Sequence, residues 1–150
     1  MDGGIKDQIK GLNKYKNIRD YLSEVAPVIF SRNQILFAYL YGSYATELVH
    51  PFSDLDIGIY VENVPANKHL ELELSISLDI DIYMGSDVVS EVRIINKLPL
   101  VMIGEIITEG ILIYSRNEVV RVDFETAIRS AYVDFLPGIH NYHRAYIDSI

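Results

Sequence analysis

The chain has 150 residues, 49% hydrophobic and 23% charged, the composition of a folded domain and not of a disordered segment. Its 13 basic residues stand against 21 acidic ones for a formal net charge of −8, so direct nucleic-acid binding, which needs clustered cations, is not expected. Cysteine is absent, which excludes disulfides, thiolate zinc sites and a cysteine nucleophile, and no apolar run reaches the roughly 18 residues of a membrane span.

The opening "MDGGIKDQIKGLNKYK" lacks the apolar segment of a signal peptide, so a cytoplasmic location is expected. From about Lys6 to Val25, Ile9, Leu12, Ile18, Leu22 and Val25 recur at helical spacing among charges, predicting an amphipathic helix that closes near Pro27. Ile35 to Tyr41, "ILFAYLY", is a continuous apolar run bounded by Gly42 and reads as a buried first strand. Leu55 to Val61 is the second strand, ending at the turn signal "ENVPANK". His69 to Ile76 suits a short helix, but the alternation Leu70, Leu72, Leu74, Ile76 suits a strand as well, and periodicity does not choose between them.

Leu78 to Met84, "LDIDIYM", reads as a third strand with Asp79, Asp81 and Tyr83 on one face, broken by Gly85-Ser86-Asp87. Helices are expected around Val88 to Ile95 and from about Leu100 to Thr108, the second capped by Gly110. Ile111 to Ser115 makes a short fourth strand. A last helix runs from about Val120 to Phe135, up to Pro137-Gly138, with a further turn or short helix beyond. Without repeats, low-complexity tracts or linkers, the expectation is one domain over residues 1–150. Its class is α/β, with a small mixed sheet of about four strands flanked by helices.

The chemistry gathers around "YGSYATELVHPFSDLDIGIY", Tyr41 to Tyr60. Asp54 and Asp56 fall at period 2 and project from one face of the second strand. Two carboxylates so placed repel unless a cation lies between them, and a divalent metal is the obvious one. Gly42 follows the first strand and lets a phosphate approach the backbone, while Ser43 offers a hydroxyl at a helical start. On the third strand, Asp81 adds a further carboxylate, with Asp79 beside it as a supporting or solvent-facing group. Three carboxylates on two strands suit two metals acting on an in-line displacement at phosphorus. Ser43 has no base near it in sequence, which argues against a hydrolase. His50, His69, His140 and His143 lack zinc spacing.

These residues resemble the signature of the polymerase-beta nucleotidyltransferase superfamily, a Gly-Ser, a spacer, an Asp-x-Asp on the next strand and another Asp one strand later. The matching stretches are "GSYATELVHPFSDLD" and "DIDIY". The short chain looks like the minimal nucleotidyltransferases, antitoxin partners of HEPN-domain ribonuclease toxins, and "EIITEGILIYS" and "VDFETAIRSAYVDFLP" look like their C-terminal half. The resemblance, from about Ile35 to Pro137, implies a polymerase-beta-like fold, ATP as substrate and two Mg2+ ions. It implies transfer of AMP to a hydroxyl, a tyrosine of the cognate toxin, with pyrophosphate released. By it Asp54 and Asp56 bind both metals, and Asp81 completes the metal site nearest the acceptor. Gly42 and Ser43 hold the β- and γ-phosphates, with Ser53 as a further nucleotide-binding residue.

One departure stands out. Where many members carry an Arg-Gly after the alanine, this chain has Thr46-Glu47, placing a carboxylate near the triphosphate. The rival readings are an antitoxin that neutralises by binding alone and a free-standing enzyme acting on a small molecule. Tyr132, Phe135, Tyr142 and Tyr146, with the acidic surface, are candidates for docking a basic helical toxin.

Overall fold

The computed structural model describes residues 14–32, 34–46, 54–85 and 88–148, with side chains for those between 18 and 135. Helix α1, Lys14–Ile29, leads into strand β1, Ile35–Tyr41, the short helix α2, Ser43–Thr46, and strand β2, Leu55–Val61. Then come helix α3, His69–Met84, strand β3, Ser90–Ile94, helix α4, Leu100–Glu109, strand β4, Ile111–Ser115, and helix α5, Glu118–Asp148. The strands form one mixed sheet in the order β3-β2-β1-β4, with β1 antiparallel to both neighbours and β2 parallel to β3. The expected small mixed sheet of four strands flanked by helices is therefore present, and β1, β2 and β4 have the bounds read from the sequence.

Two apolar layers cover the sheet. On one face Leu55, Ile57, Ile59, Val92 and Ile94 pack with Ile18, Leu22, Ala26 and Ile29 of α1 and with Ile76 and Ile80 of α3. On the other, Phe37 and Tyr39 pack with Ile103, Ile106 and Ile107 of α4 and with Val120, Phe124 and Ile128 of α5. A register shift between Ile35 and Phe37 turns both Leu36 and Phe37 toward the α4/α5 side, so one irregularity loads that face with a large ring. Phe37 stacks on Tyr60 at 4.5 Å between ring centroids, and Phe124 leans on both.

The largest correction concerns Leu78 to Met84, which is no strand but the second half of α3, and the open reading of His69 to Ile76 resolves as its first half. An apolar residue at every second position also repeats at every fourth. On a helix that pattern makes two stripes, and Leu72, Ile76, Ile80 and Met84 form the one that meets the core. The third strand lies instead at Ser90–Ile94, where a helix is expected from sequence. It is held to α3 by Ser77 Oγ and Ser90 Oγ at 2.8 Å and by the Ile94 N–H donating to Glu73 at 2.9 Å. Asn96 then pairs both its amide groups with the backbone of Val61, donating at 2.8 Å and accepting at 3.0 Å, which extends β2 beyond its last strand partner.

Two helices outrun their expected ends. α1 passes through Pro27 to Ile29, because proline in a last turn forfeits a single bond while buried Ala26, Ile29 and Phe30 hold the turn in place. α5 continues through Pro137 to Asp148. No described helix is long and apolar enough to cross a membrane.

Candidate active site

β1 ends at Tyr41, and the chain turns at Gly42 with φ of +71°, a conformation open to glycine and strained for other residues. The Gly42 carbonyl accepts the N–H groups of Ala45 at 3.1 Å and Thr46 at 3.2 Å, which closes α2, and buried Tyr44 anchors that turn in the core. Ser43 opens α2 and is half-buried. An Oδ atom of Asp56 occupies the space a Cβ on Gly42 would need. The Gly-Ser turn and the Asp-x-Asp strand are thus in direct contact, joined by the pairing of Tyr41 with Asp56.

Asp56 lies opposite Tyr41 on one side and Glu91 of β3 on the other, which makes a lateral row of three polar side chains. Its neighbours Leu55 and Ile57 are buried on the α1/α3 side, so Asp56 itself points to the α4/α5 side. Burial first, then the Glu91 and Asp54 carboxylates, push the Asp56 carboxyl up to about 6, against the pull of Arg93. Burial, with Asp56 next in weight, raises the Tyr41 hydroxyl to about 12, which keeps it a hydrogen-bond donor at neutral pH. Asp54, just before β2, is exposed. Arg93 grips Glu91 through Nε at 2.9 Å and Nη2 at 2.6 Å, which raises the Arg93 pKa further.

Asp81 is not part of this group. It lies exposed on α3, a helix packed on the opposite side of the sheet from Asp56, because the strand that was to carry it is not formed. Asp79, on the same helix, pairs with Arg32 at 2.8 Å. The carboxylate that the neighbouring strand does bring to Asp56 is Glu91, together with the cation Arg93. The signal that could have found them is "SEVRI", a five-residue alternation with Glu91 and Arg93 on one face. Glu47, His50 and Ser53 lie outside the described residues, as do the side chains of Tyr142 and Tyr146. Tyr132 is no free docking residue, since its ring covers Gly104 of α4 where a Cβ would stand, whereas Phe135 is exposed.

Among the described residues no three His, Cys, Asp or Glu side chains converge as a ready-made metal cage. The donor set nonetheless fits Mg2+, which is typically held by one or two carboxylates, with water and substrate phosphates completing the octahedron. Asp54 and Asp56 would supply those two carboxylates, and a cation would relieve the repulsion that adds to burial in raising Asp56.

A mixed sheet whose first strand ends in Gly-Ser against an Asp-x-Asp on the second is the framework of a nucleotidyltransferase. The polymerase beta nucleotidyltransferase family model matches residues 23–119, and the chain belongs to that family. No curated protein matches it. Among solved structures, a toxin–antitoxin crystal structure with AMP-PNP superposes with a TM-score of 0.59 at 15% identity, over 85% of this chain and 96% of that one. An MNT antitoxin in complex with a tri-AMPylated Shewanella oneidensis HEPN toxin gives a TM-score of 0.55 at 13% identity, over 85% and 93%. A mutant MntA–HpeT toxin–antitoxin structure gives 0.53 at 16% identity, over 92% and 97%. At such identities the likeness is one of fold.

A methyl group at Gly42 tests the contact that builds the site. Gly42→Ala must displace the Asp56 carboxylate and hold an unfavourable φ, so a stability loss of about 1–2 kcal/mol is expected. Nucleotide affinity should fall with it. Urea titration and calorimetry with MgATP read the two effects, and unchanged nucleotide binding would mean that the turn does not shape the site.

Proposed function

We propose that the chain is an Mg2+-dependent adenylyltransferase that moves AMP from ATP to a hydroxyl of a HEPN-domain toxin, a tyrosine, and thereby neutralises it. The observation that carries this reading is the Asp56 carboxylate seated against Gly42, with Asp54 beside it and Glu91 one strand away. Mg2+ bound there would supply charge neutralisation at the triphosphate. Asp54 and Asp56 would hold it, Gly42 and Ser43 would take the β- and γ-phosphates with Ser53 as a further nucleotide-binding residue, and Glu91, released from Arg93, would take the part expected of Asp81. The acceptor oxygen forms its bond to the α-phosphorus as the bond to pyrophosphate breaks, and its proton passes to a neighbouring carboxylate. The structural neighbours support both nucleotide and partner, since one holds AMP-PNP and another an AMPylated HEPN toxin. The net charge of −8 suits a basic partner.

Co-incubating the chain, its HEPN partner and MgATP, then weighing the partner intact, is expected to show the added mass of adenylyl groups. No added mass, with the partner still inhibited by the Asp54→Asn variant, would establish neutralisation by binding alone.

A further inference from the structure

Helix α3 is apolar on two sides. Ile76 and Ile80 are sealed against the sheet, whereas Leu70, Leu74, Leu78 and Ile82 stand 65%, 57%, 63% and 73% exposed. Spaced four residues apart, these side chains make one continuous ridge about 18 Å long on the outer surface. A contiguous run of large aliphatic groups in water marks a docking surface, where isolated exposed leucines would not.

The charges on this face indicate what it docks. Its acidic side chains are Glu71 and Asp81, both exposed, and the Lys68 ammonium reaches it only at Glu71. Glu71 is tied to Lys68 at 3.3 Å, and among the described residues Asp81 has no ion pair. The carbonyl end of the helix adds partial negative charge beside Asp81. A second copy of the chain complements this poorly. Antiparallel pairing that sets Leu74 on Leu78 sets the self-paired Glu71 and Lys68 against Asp81, and parallel pairing sets Asp81 against itself, so neither answers Asp81 with a free cation. A helix carrying cations beside its own apolar ridge meets both demands.

We propose that the outer face of α3 is a docking surface for a basic amphipathic helix of another protein. The partner's apolar side chains interleave with Leu70, Leu74, Leu78 and Ile82, and a lysine or arginine answers Asp81. The face lies across the sheet from Asp56, so a protein held there leaves the nucleotide site open. This goes beyond the proposed function, which names a partner but no surface.

The probe is a labelled synthetic helix of about 18 residues with leucines four apart and lysines on their flanks. A second peptide has glutamates in place of the lysines. Fluorescence anisotropy should show the lysine peptide binding the wild-type chain in preference to the glutamate peptide. The Leu74→Glu/Leu78→Glu variant should weaken it at least about tenfold. Asp81→Lys should reverse the preference, and the thermal shift with MgATP should be the same in all three proteins, since every substituted residue is exposed. Three results would overturn the inference: no preference for the lysine peptide, unchanged binding by the double variant, or a wild-type dimer in sedimentation that the double variant dissolves. A failure of the adenylyl-transfer reading is separable, because it leaves peptide binding intact while no mass is added to the partner.

Discussion

Replacing Asp54 and Asp56 together with asparagine is expected to abolish Mg2+-dependent nucleotide binding while leaving the protein folded and, above about pH 6, more stable. The stability gain comes mainly from Asp56, whose carboxyl is raised from 3.8 to about 6 by burial and by the nearby carboxylates. The native chain therefore holds this proton more tightly than the unfolded chain does. Stability falls as pH rises between those two values, the burden being absent below the lower and complete above the upper. Because the group is only half-buried, water screens it, and the cost at neutral pH is about 1 kcal/mol. Asparagine removes that burden and with it the anionic ligands. Thermal melts from pH 4 to 8, with and without MgATP, should show the single Asp56→Asn variant gaining on the parent only as the pH rises. An equal MgATP shift in the parent and the double variant would sink the metal-site assignment.

Glu125→Ala is expected to cost the fold about 3 kcal/mol, without touching the proposed nucleotide site. Glu125 is the one buried charged residue among those described. It accepts from the Tyr39 hydroxyl at 2.5 Å and from Arg121 Nη1 at 3.1 and 3.2 Å. Burial, followed by this hydrogen bond, raises the Tyr39 pKa, so the hydroxyl remains a donor across the accessible pH range. Cutting the carboxylate away strands the buried Tyr39 hydroxyl and takes the acceptor from Arg121 Nη1, while Glu118 and Ser115 still hold the rest of that guanidinium. Glu125→Gln keeps an acceptor for Tyr39 and should lose only about 1 kcal/mol. Urea denaturation of the two variants checks the difference. A loss under about 1 kcal/mol for the alanine variant would mean that water takes over both partners.

The sequence revealed more of the sheet than of the elements between its strands, and the reason is physical. β1, β2 and β4 are short apolar runs whose ends are marked by glycine or turn residues, and such punctuation acts locally. α3 has no such marking. Its alternating apolar residues satisfy a strand and a helix at once, and packing of Ile76 and Ile80 against Leu55 and Ile57 decides the matter over a long range. With Leu78 to Met84 in the helix, the third strand falls at Ser90–Ile94, and the carboxylate it brings beside Asp56 is Glu91 and not Asp81. Gly42, Asp54 and Asp56 were within reach of sequence because one short segment carries them all. Glu91 and Arg93 join them only through the parallel pairing of β2 with β3, and the alternation of "SEVRI" marks a strand without saying which strand it pairs with.

The position of β1 has a consequence for hydrogen exchange. It is antiparallel to a strand on each side, and its residues from Ile35 to Leu40 are buried on both faces. The amides that β1 donates to β2 stay bonded when the edge strand β4 frays, so they exchange only through opening of the β1–β2 pair at the centre of the sheet, unlike those on the free sides of β3 and β4. The turn at Gly42 hangs from the end of this central strand, while Asp54, just before β2, is exposed. The proposed nucleotide site thus joins a turn whose protection follows the centre of the sheet to an exposed carboxylate at the start of β2.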